Sequence, residues 1–403
     1  FTCILWLDRN KHSIGDYRIQ KEVTMNRIIK IGMDVHSNSF SLCALESVFG
    51  ENDRILAEVK VPAESKYVVQ FVENLKKKLG SSGKYSIECG YEAGCLGYSL
   101  YHQLTAKGIN CVILAPTTML TQKGKRVKTD KRDAHLIAQC LANGGYHAVH
   151  IPTEEDNEIK EYIRMRDDAV EARKKISQQI DAFCLRHGYV YPKTKWTNVH
   201  LTWLRGLELS DAFRETLDEY LALYQHLCES IERYNKRIEE FAESGSHREE
   251  VKHLKCLKGV LTNTALAVIV ETGDFFRFAK GNAYSVYLGL VPGEDSSGDH
   301  VCRTGISKAG NSHVRRLLIE AAQGICRGAI GYKSKALKAR QAGNPQEIID
   351  YADRAAVRLR SRYYHLIRAG KKRNKAVTAV ARELACFIWG MMTGNIGPRK
   401  AGG

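Results

Sequence analysis

No stretch of this 403-residue chain approaches the roughly 20 consecutive apolar residues that cross a bilayer, so the sequence offers no transmembrane helix. Paired cysteines are also missing. The 12 cysteines are scattered singly, without a CxxC pair or a Cys/His spacing suited to zinc. They read as reduced, mostly buried small hydrophobes of a cytoplasmic protein rather than as a disulfide framework. Acidic charge is scarce: 45 Asp and Glu face 61 Lys and Arg, a formal net charge of +16. That deficit points to a polyanionic partner, of which nucleic-acid phosphate is the commonest. A hydrophobic fraction of 44% excludes a disordered basic tail, and the length calls for two or three domains. Residues 1–24 carry charges among their apolar positions, which suits neither a signal peptide nor an anchor. They are expected to be an in-frame upstream extension, with Met25 as the natural start.

From there the pattern is strand-like over Ile28 to Val35, Phe40 to Glu46 and Ile55 to Val61, with Gly50-Glu51-Asn52-Asp53 as a turn. Helical spacing over Pro62 to Leu79 ends in Lys76-Lys77-Lys78 and Gly80, a favourable helix C-terminus. A strand over Tyr85 to Cys89, a helix over Leu96 to Thr105 and a strand over Asn110 to Leu114 follow. A further helix begins at Thr129 or Asp130. This order, three strands and then two strand–helix units behind a first helix, is that of the ribonuclease-H-like fold.

Four carboxylates are strung through this region. Asp34 ends the first strand, Glu92 lies in Gly90-Tyr91-Glu92-Ala93-Gly94, and Asp130 and Asp133 lie in Lys128-Thr129-Asp130-Lys131-Arg132-Asp133-Ala134. A charge at the end of a buried strand costs several kcal/mol unless it is paired or holds a cation, and carboxylate oxygens suit Mg²⁺. Asp130 and Asp133, spaced i, i+3, share a helix face. Capping and the helix dipole account for one of them but not for the basic stretch around Lys125, Arg126, Lys128 and Arg132, which suits phosphate. Glu88 competes with Glu92 as the strand's carboxylate, and His36 and His135 flank the group.

The middle of the chain reads as helix. Ile159, Tyr162, Arg166, Ala169, Ile176, Ile180 and Phe183 recur at helical spacing. After Pro192 to Trp203, a heptad seam runs through Tyr224, Leu227, Ile231, Tyr234, Ile238 and Phe241. A helical hairpin within the chain and an oligomerising coiled coil fit this pattern equally. Short helical runs over Leu254 to Val260 and Ala265 to Thr272 come next. Then come a loop holding Ser296-Ser297-Gly298 and a segment with Arg303, Lys308, Arg315 and Arg316, cations able to clamp a phosphate. Helices over Leu317 to Cys326 and Ala376 to Trp389 close the chain.

Together, Ile31-Gly32-Met33-Asp34, Tyr91-Glu92-Ala93-Gly94 and the Lys-Thr-Asp-x-x-Asp-Ala string resemble the IS110 (DEDD) family of insertion-sequence transposases. So do Leu288-Gly289-Leu290-Val291-Pro292, Ser296-Ser297-Gly298 and Ser307-Lys308-Ala309-Gly310-Asn311. The resemblance spans nearly the whole chain from Met25. It implies an α/β ribonuclease-H-like (RuvC-like) domain over 25–150, a helical coiled-coil middle over 151–250, and a mainly α transposase domain over 251–403. It further implies Mg²⁺ on Asp34, Glu92, Asp130 and Asp133, and a nucleophilic serine at Ser297, with Ser296 its nearest rival. DNA ends and target are the expected partners of a nucleoid-associated homo-oligomer (dimer or tetramer); in part of the family a guide RNA chooses them. One departure stands out: the family's helix-hairpin-helix usually reads Pro-Gly-Ile-Gly, whereas this chain has Leu257-Lys258-Gly259-Val260.

Two rival readings use the same residues. A RuvC-like nuclease or junction resolvase would cleave with water and leave Ser297 structural. A non-catalytic basic protein would bind nucleic acid by charge alone.

Overall fold

The computed structural model describes residues 27–47, 53–80, 85–94, 96–116, 119, 130–294 and 303–397. Two compact units divide at Val149/His150.

In the first unit, three strands are antiparallel neighbours: β1 (Arg27–Val35), β2 (Ser39–Ser47) and β3 (Arg54–Pro62). Helix α1 (Ser65–Leu79) leads to β4 (Tyr85–Glu92), and α2 (Ser99–Thr105) leads to β5 (Cys111–Leu114). Both strands pair parallel, β4 beside β1 and β5 beside β4, giving the sheet order β3-β2-β1-β4-β5. Ile29, Ile31 and Met33 of β1 are fully buried, as are Cys89 and Tyr91 of β4. Spaced two apart, these residues fill one face of the sheet, opposite the face that carries Gly32, whereas Ile28 at the start of β1 is exposed.

Helix α3 (Asp130–Asn143) lies against β1 unusually closely. A Cβ on Gly32 would overlap the carbonyl oxygen of Ala134 and the amide nitrogen of Ala138. The hydrogen in place of a side chain at Gly32 therefore lets helix backbone meet strand backbone. Gly90, paired with Gly32 across the sheet, lets Leu114 and Leu141 fill the space beside it.

In the second unit, α4 (Glu154–Arg186) and α6 (Asp211–Ser244) run antiparallel, joined through α5 (Asn198–Arg205). Tyr162 packs edge-on against Tyr234 and Phe241 near one end, with ring centroids 5.8 and 5.4 Å away. Phe183 meets Phe213 at 6.0 Å near the other. The heptad seam of α6 thus finds a mate in its own chain, and Ile231 and Ile238 are buried there.

The ends of α4 and α6 remote from α5 share a core with the rest of the unit. Ile159, Ile163, Ile238 and Ala242 join Leu266, Leu317 and Leu384 in one cluster. Those last residues belong to α8 (Thr262–Thr272), α10 (Ser312–Ile325) and α13 (Arg373–Met392). Around them lie α7 (Arg248–Leu254), α9 (Gly281–Tyr287), α11 (Lys335–Gln341) and α12 (Gln346–Arg368). A two-stranded ribbon of β6 (Pro292–Glu294) and β7 (Arg303–Ile306) completes the unit.

The expected helix over Leu254 to Val260 is corrected: α7 stops at Leu254, and turns lead to α8. Gly259 has φ +87°, and a Cβ there would overlap the Ala321 carbonyl of α10. This glycine serves a close helix approach.

Candidate active site

Strand geometry places the first carboxylates. Alternation puts Gly32 and Asp34 on one face of β1, and the parallel register (Gly32 with Gly90, Met33 with Tyr91) puts Gly90 and Glu92 on the same face of β4. Helix α3 covers that face over Gly32 and Gly90. Its N-terminal turn, which holds Asp130 and Asp133, therefore reaches the end of β1 where Asp34 stands.

Asp34 and Asp130 come together around His36. The imidazole Nε2 lies 3.1 Å from Asp34 Oδ2 and 4.0 Å from Asp130 Oδ1. One potential ligand atom from each of the three lies within 4.8 Å of the others. Lys60 of β3 donates to Asp130 Oδ2 at 2.8 Å. The Asp34 side chain is only 16% exposed. Burial raises its carboxyl above the ordinary aspartate range, and the charges of Asp133 and Asp130 push the same way while His36 opposes. Lys60 draws Asp130 in the other direction, holding its carboxyl low.

Crowded carboxylates, one of them desolvated, are a donor set that fits a divalent cation. A cation among them would offset both the burial and the carboxylate repulsion that lift Asp34. Glu92 is exposed at the end of β4 and stands outside the Asp34–His36–Asp130 trio. Its rival Glu88 is bound to Lys30 at 2.5 Å, four residues back along the strand. Asp133 and His135 are half-buried on α3, and Arg132 is exposed.

Lys125, Arg126, Lys128, Ser296 and Ser297 lie outside the described residues, as do 1–24. For Arg303 the backbone is described, paired with Glu294 in the ribbon. Lys308 is exposed, with φ +56°. Arg315 donates Nη1 to the carbonyls of Leu288 (2.9 Å) and Ala309 (2.8 Å), so it braces the chain around the ribbon. Arg316 is bound to Asp167 at 2.5 Å and to Glu320 at 3.2 Å.

Two features went unread in the sequence. Lys60 carried no signal, being one lysine on an exposed edge strand. The other is a buried ionic cluster of Asp167, Glu271 and His313 in the second unit. Its visible sign was Glu271, a lone carboxylate at the end of the apolar run Ala265-Leu266-Ala267-Val268-Ile269-Val270.

Residues 31–188 match the sequence pattern of a DEDD transposase family, and residues 251–337 match that of the IS116/IS110/IS902 transposase family. The chain is 34% identical over 360 residues to a putative transposase, y4qE, of Sinorhizobium fredii, covering 89% of this chain and 87% of that one. It is 30% identical over 362 residues to the transposase for insertion sequence element IS1533 of Leptospira borgpetersenii (86% and 99%). Identity to the transposase for insertion sequence element IS1111A of Coxiella burnetii is 24% over 388 residues (95% and 94%).

Proposed function

This chain belongs to the IS116/IS110/IS902 family of insertion-sequence transposases, and we propose that it cuts and rejoins DNA through a covalent serine intermediate beside a Mg²⁺ site. The observation that carries the metal half is the meeting of Asp34 with Asp130 on a glycine-tight strand–helix contact. The sheet order β3-β2-β1-β4-β5 supports a ribonuclease-H-like frame for residues 25–150. Asp34, Asp130 and Asp133, with Glu92 at the neighbouring strand end, would hold the cation. Mg²⁺ supplies charge neutralisation at the phosphate and at the leaving oxygen.

Ser297 supplies the nucleophile. Its Oγ–P bond forms as the P–O bond to the deoxyribose leaving oxygen breaks; the serine proton is lost and the leaving oxygen gains one. The phosphoserine keeps the diester's energy for rejoining. The net positive charge of the chain suits contact with DNA ends, target and a guide RNA. Lys125, Arg126, Lys128, Arg132, Arg303 and Lys308 would contact their phosphates. The protein works as a homo-oligomer in which one protomer's serine meets another's metal site.

The test is a denaturing gel for a protein–DNA adduct, using the element's end sequences, Mg²⁺ and any RNA that co-purifies. Wild type forms the adduct, and Ser297→Ala and Asp34→Ala do not. Cleavage without adduct and indifferent to Ser297→Ala would establish water as the nucleophile and retire strand exchange.

A further inference from the structure

The second unit holds seven charged side chains in one network across three helices. Asp167 of α4 is 9% exposed and Glu271 of α8 only 3%. His313 of α10 stands between them, with Nε2 2.7 Å from Asp167 Oδ2 and Nδ1 3.0 Å from Glu271 Oε1. Each ring nitrogen faces a carboxylate oxygen, which can only accept. Both nitrogens must therefore donate, and the ring there is an imidazolium.

Arg166 (2.8 Å) and Arg316 (2.5 Å) complete the shell of Asp167. Arg164 grips Glu271 with two bonds of 2.8 and 3.1 Å, and Asn311 adds a third at 2.8 Å. Asn235 of α6 accepts from Arg166, and Glu320 of α10 from Arg316.

The network anchors the root of the β6–β7 ribbon. Asn311, which bonds Glu271, also caps α10 by accepting from the Val314 amide. The chain leaving β7 runs straight into that cap. On the way Ser307 N–H donates to the Val291 carbonyl at 2.9 Å and Lys308 N–H to the Gly289 carbonyl at 3.2 Å. Arg315 binds Leu288 and Ala309, one on each leg of the ribbon. Gly310 lies so close to the Tyr287 carbonyl that a Cβ would overlap it. Both legs are thus fastened to the first turn of α10, and that turn is fastened to α4 and α8 through His313 and Asn311.

We propose that His313, clamped between Asp167 and Glu271, is a positioning residue for strand transfer, holding the root of the ribbon that leads into and out of Ser297. This rests on the serine reading above. A catalytic group is placed only as well as the elements that carry it, and a misplacement of about 1 Å can cost about 100-fold in rate.

The clamp has a pH signature. Burial opposes the imidazolium, but the bonds and charges of Asp167 and Glu271 outweigh it, so the His313 pKa lies above the ordinary 6.5. Glu271 is drawn down to about 2 despite its burial, by His313, Arg164 and Asn311. Asp167 is held low as well, by His313, Arg166 and Arg316 against burial. A histidine raised on folding contributes fully below pH 6.5 and loses its contribution as pH rises through the folded value. Carboxylates held low keep theirs down to acid pH. The clamp therefore fails on the alkaline side.

The experiment compares full-length wild type with His313→Gln in the adduct assay from pH 6 to 9.5, alongside DNA affinity and hydrogen exchange of the ribbon. Gln can replace one of the two donors and cannot titrate. At pH 6 to 7 the variant should form adduct about 10-fold more slowly, half of the full misplacement effect in free energy, because one of the two donors is kept. Its DNA affinity should be unchanged. The wild-type advantage should shrink as pH rises, and ribbon exchange in wild type should accelerate over the same range. Equal rates and parallel pH profiles would overturn the proposal. So would a variant that loses DNA binding and global stability together with rate, which marks a merely structural residue. If wild type forms no adduct, the serine reading has failed and exchange decides alone: ribbon amides faster in His313→Gln at pH 6.5, with the rest of the unit unaltered, uphold the clamp. Unchanged ribbon amides refute it.

Discussion

Asp34→Asn should lose DNA cleavage by about a thousandfold while the metal-free protein stays at least as stable as wild type. Divalent-cation stabilisation of a phosphoryl transition state is worth several kcal/mol, and at about 1.4 kcal/mol per tenfold a loss of about 4 kcal/mol is that thousandfold. The stability half follows from electrostatics. Burial and the nearby Asp133 and Asp130 raise the Asp34 carboxyl, so ionised Asp34 costs the fold free energy at neutral pH. The amide is nearly isosteric and removes that cost. It forfeits charge assistance in the bond to His36, which is 56% exposed and contributes little. Cleavage rate and thermal midpoint, measured on the same preparation, separate the two effects. A parallel fall in both would mean that Asp34 is a structural group. A normal rate would place the metal elsewhere.

The sheet and the first carboxylate were legible for one reason: local signals and burial agreed. Ile31-Gly32-Met33-Asp34-Val35 is apolar up to a single charge, and the strand and helix order leaves few ways to assemble five strands. What could not be read was pairing at a distance. The heptad seam through Ile231 and Ile238 says that an apolar stripe needs a mate, but not that α4 of the same chain provides it. Glu88 and Glu92 differ in the sheet because Lys30 stands in register with Glu88, a fact of pairing that no spacing encodes. Arg315 read as a phosphate clamp because it is one of four cations that follow the Ser296-Ser297-Gly298 loop. Two backbone carbonyls, invisible in a sequence, take its Nη1. The His313 cluster was hidden in the same way, since residues 167, 271 and 313 meet only once α4, α8 and α10 are packed.

Gly32→Ala tests whether the strand–helix contact makes the site. The added methyl would meet the Ala134 carbonyl oxygen and the Ala138 amide nitrogen and Cα. Overpacking a core costs about 1–3 kcal/mol when side chains can move aside; here backbone must move, so about 3 kcal/mol is expected. For a unit of this size that lowers the thermal midpoint by roughly 10 °C. Gly94→Ala is the control. Its Cβ would meet nothing nearer than the Glu92 carbonyl at 3.8 Å, so stability should hold. Shrinking Ala134 or Ala138 to glycine should not rescue Gly32→Ala, because the collision is with their backbone atoms. Below its lowered midpoint the folded variant should still cleave poorly, although every carboxylate is intact, because α3 must lift from β1 and carry Asp130 and Asp133 away from Asp34. Wild-type cleavage by folded Gly32→Ala would separate the carboxylate geometry from the glycine contact. A loss like that of Asp34→Asn would show that the metal site depends on a residue that touches neither metal nor DNA.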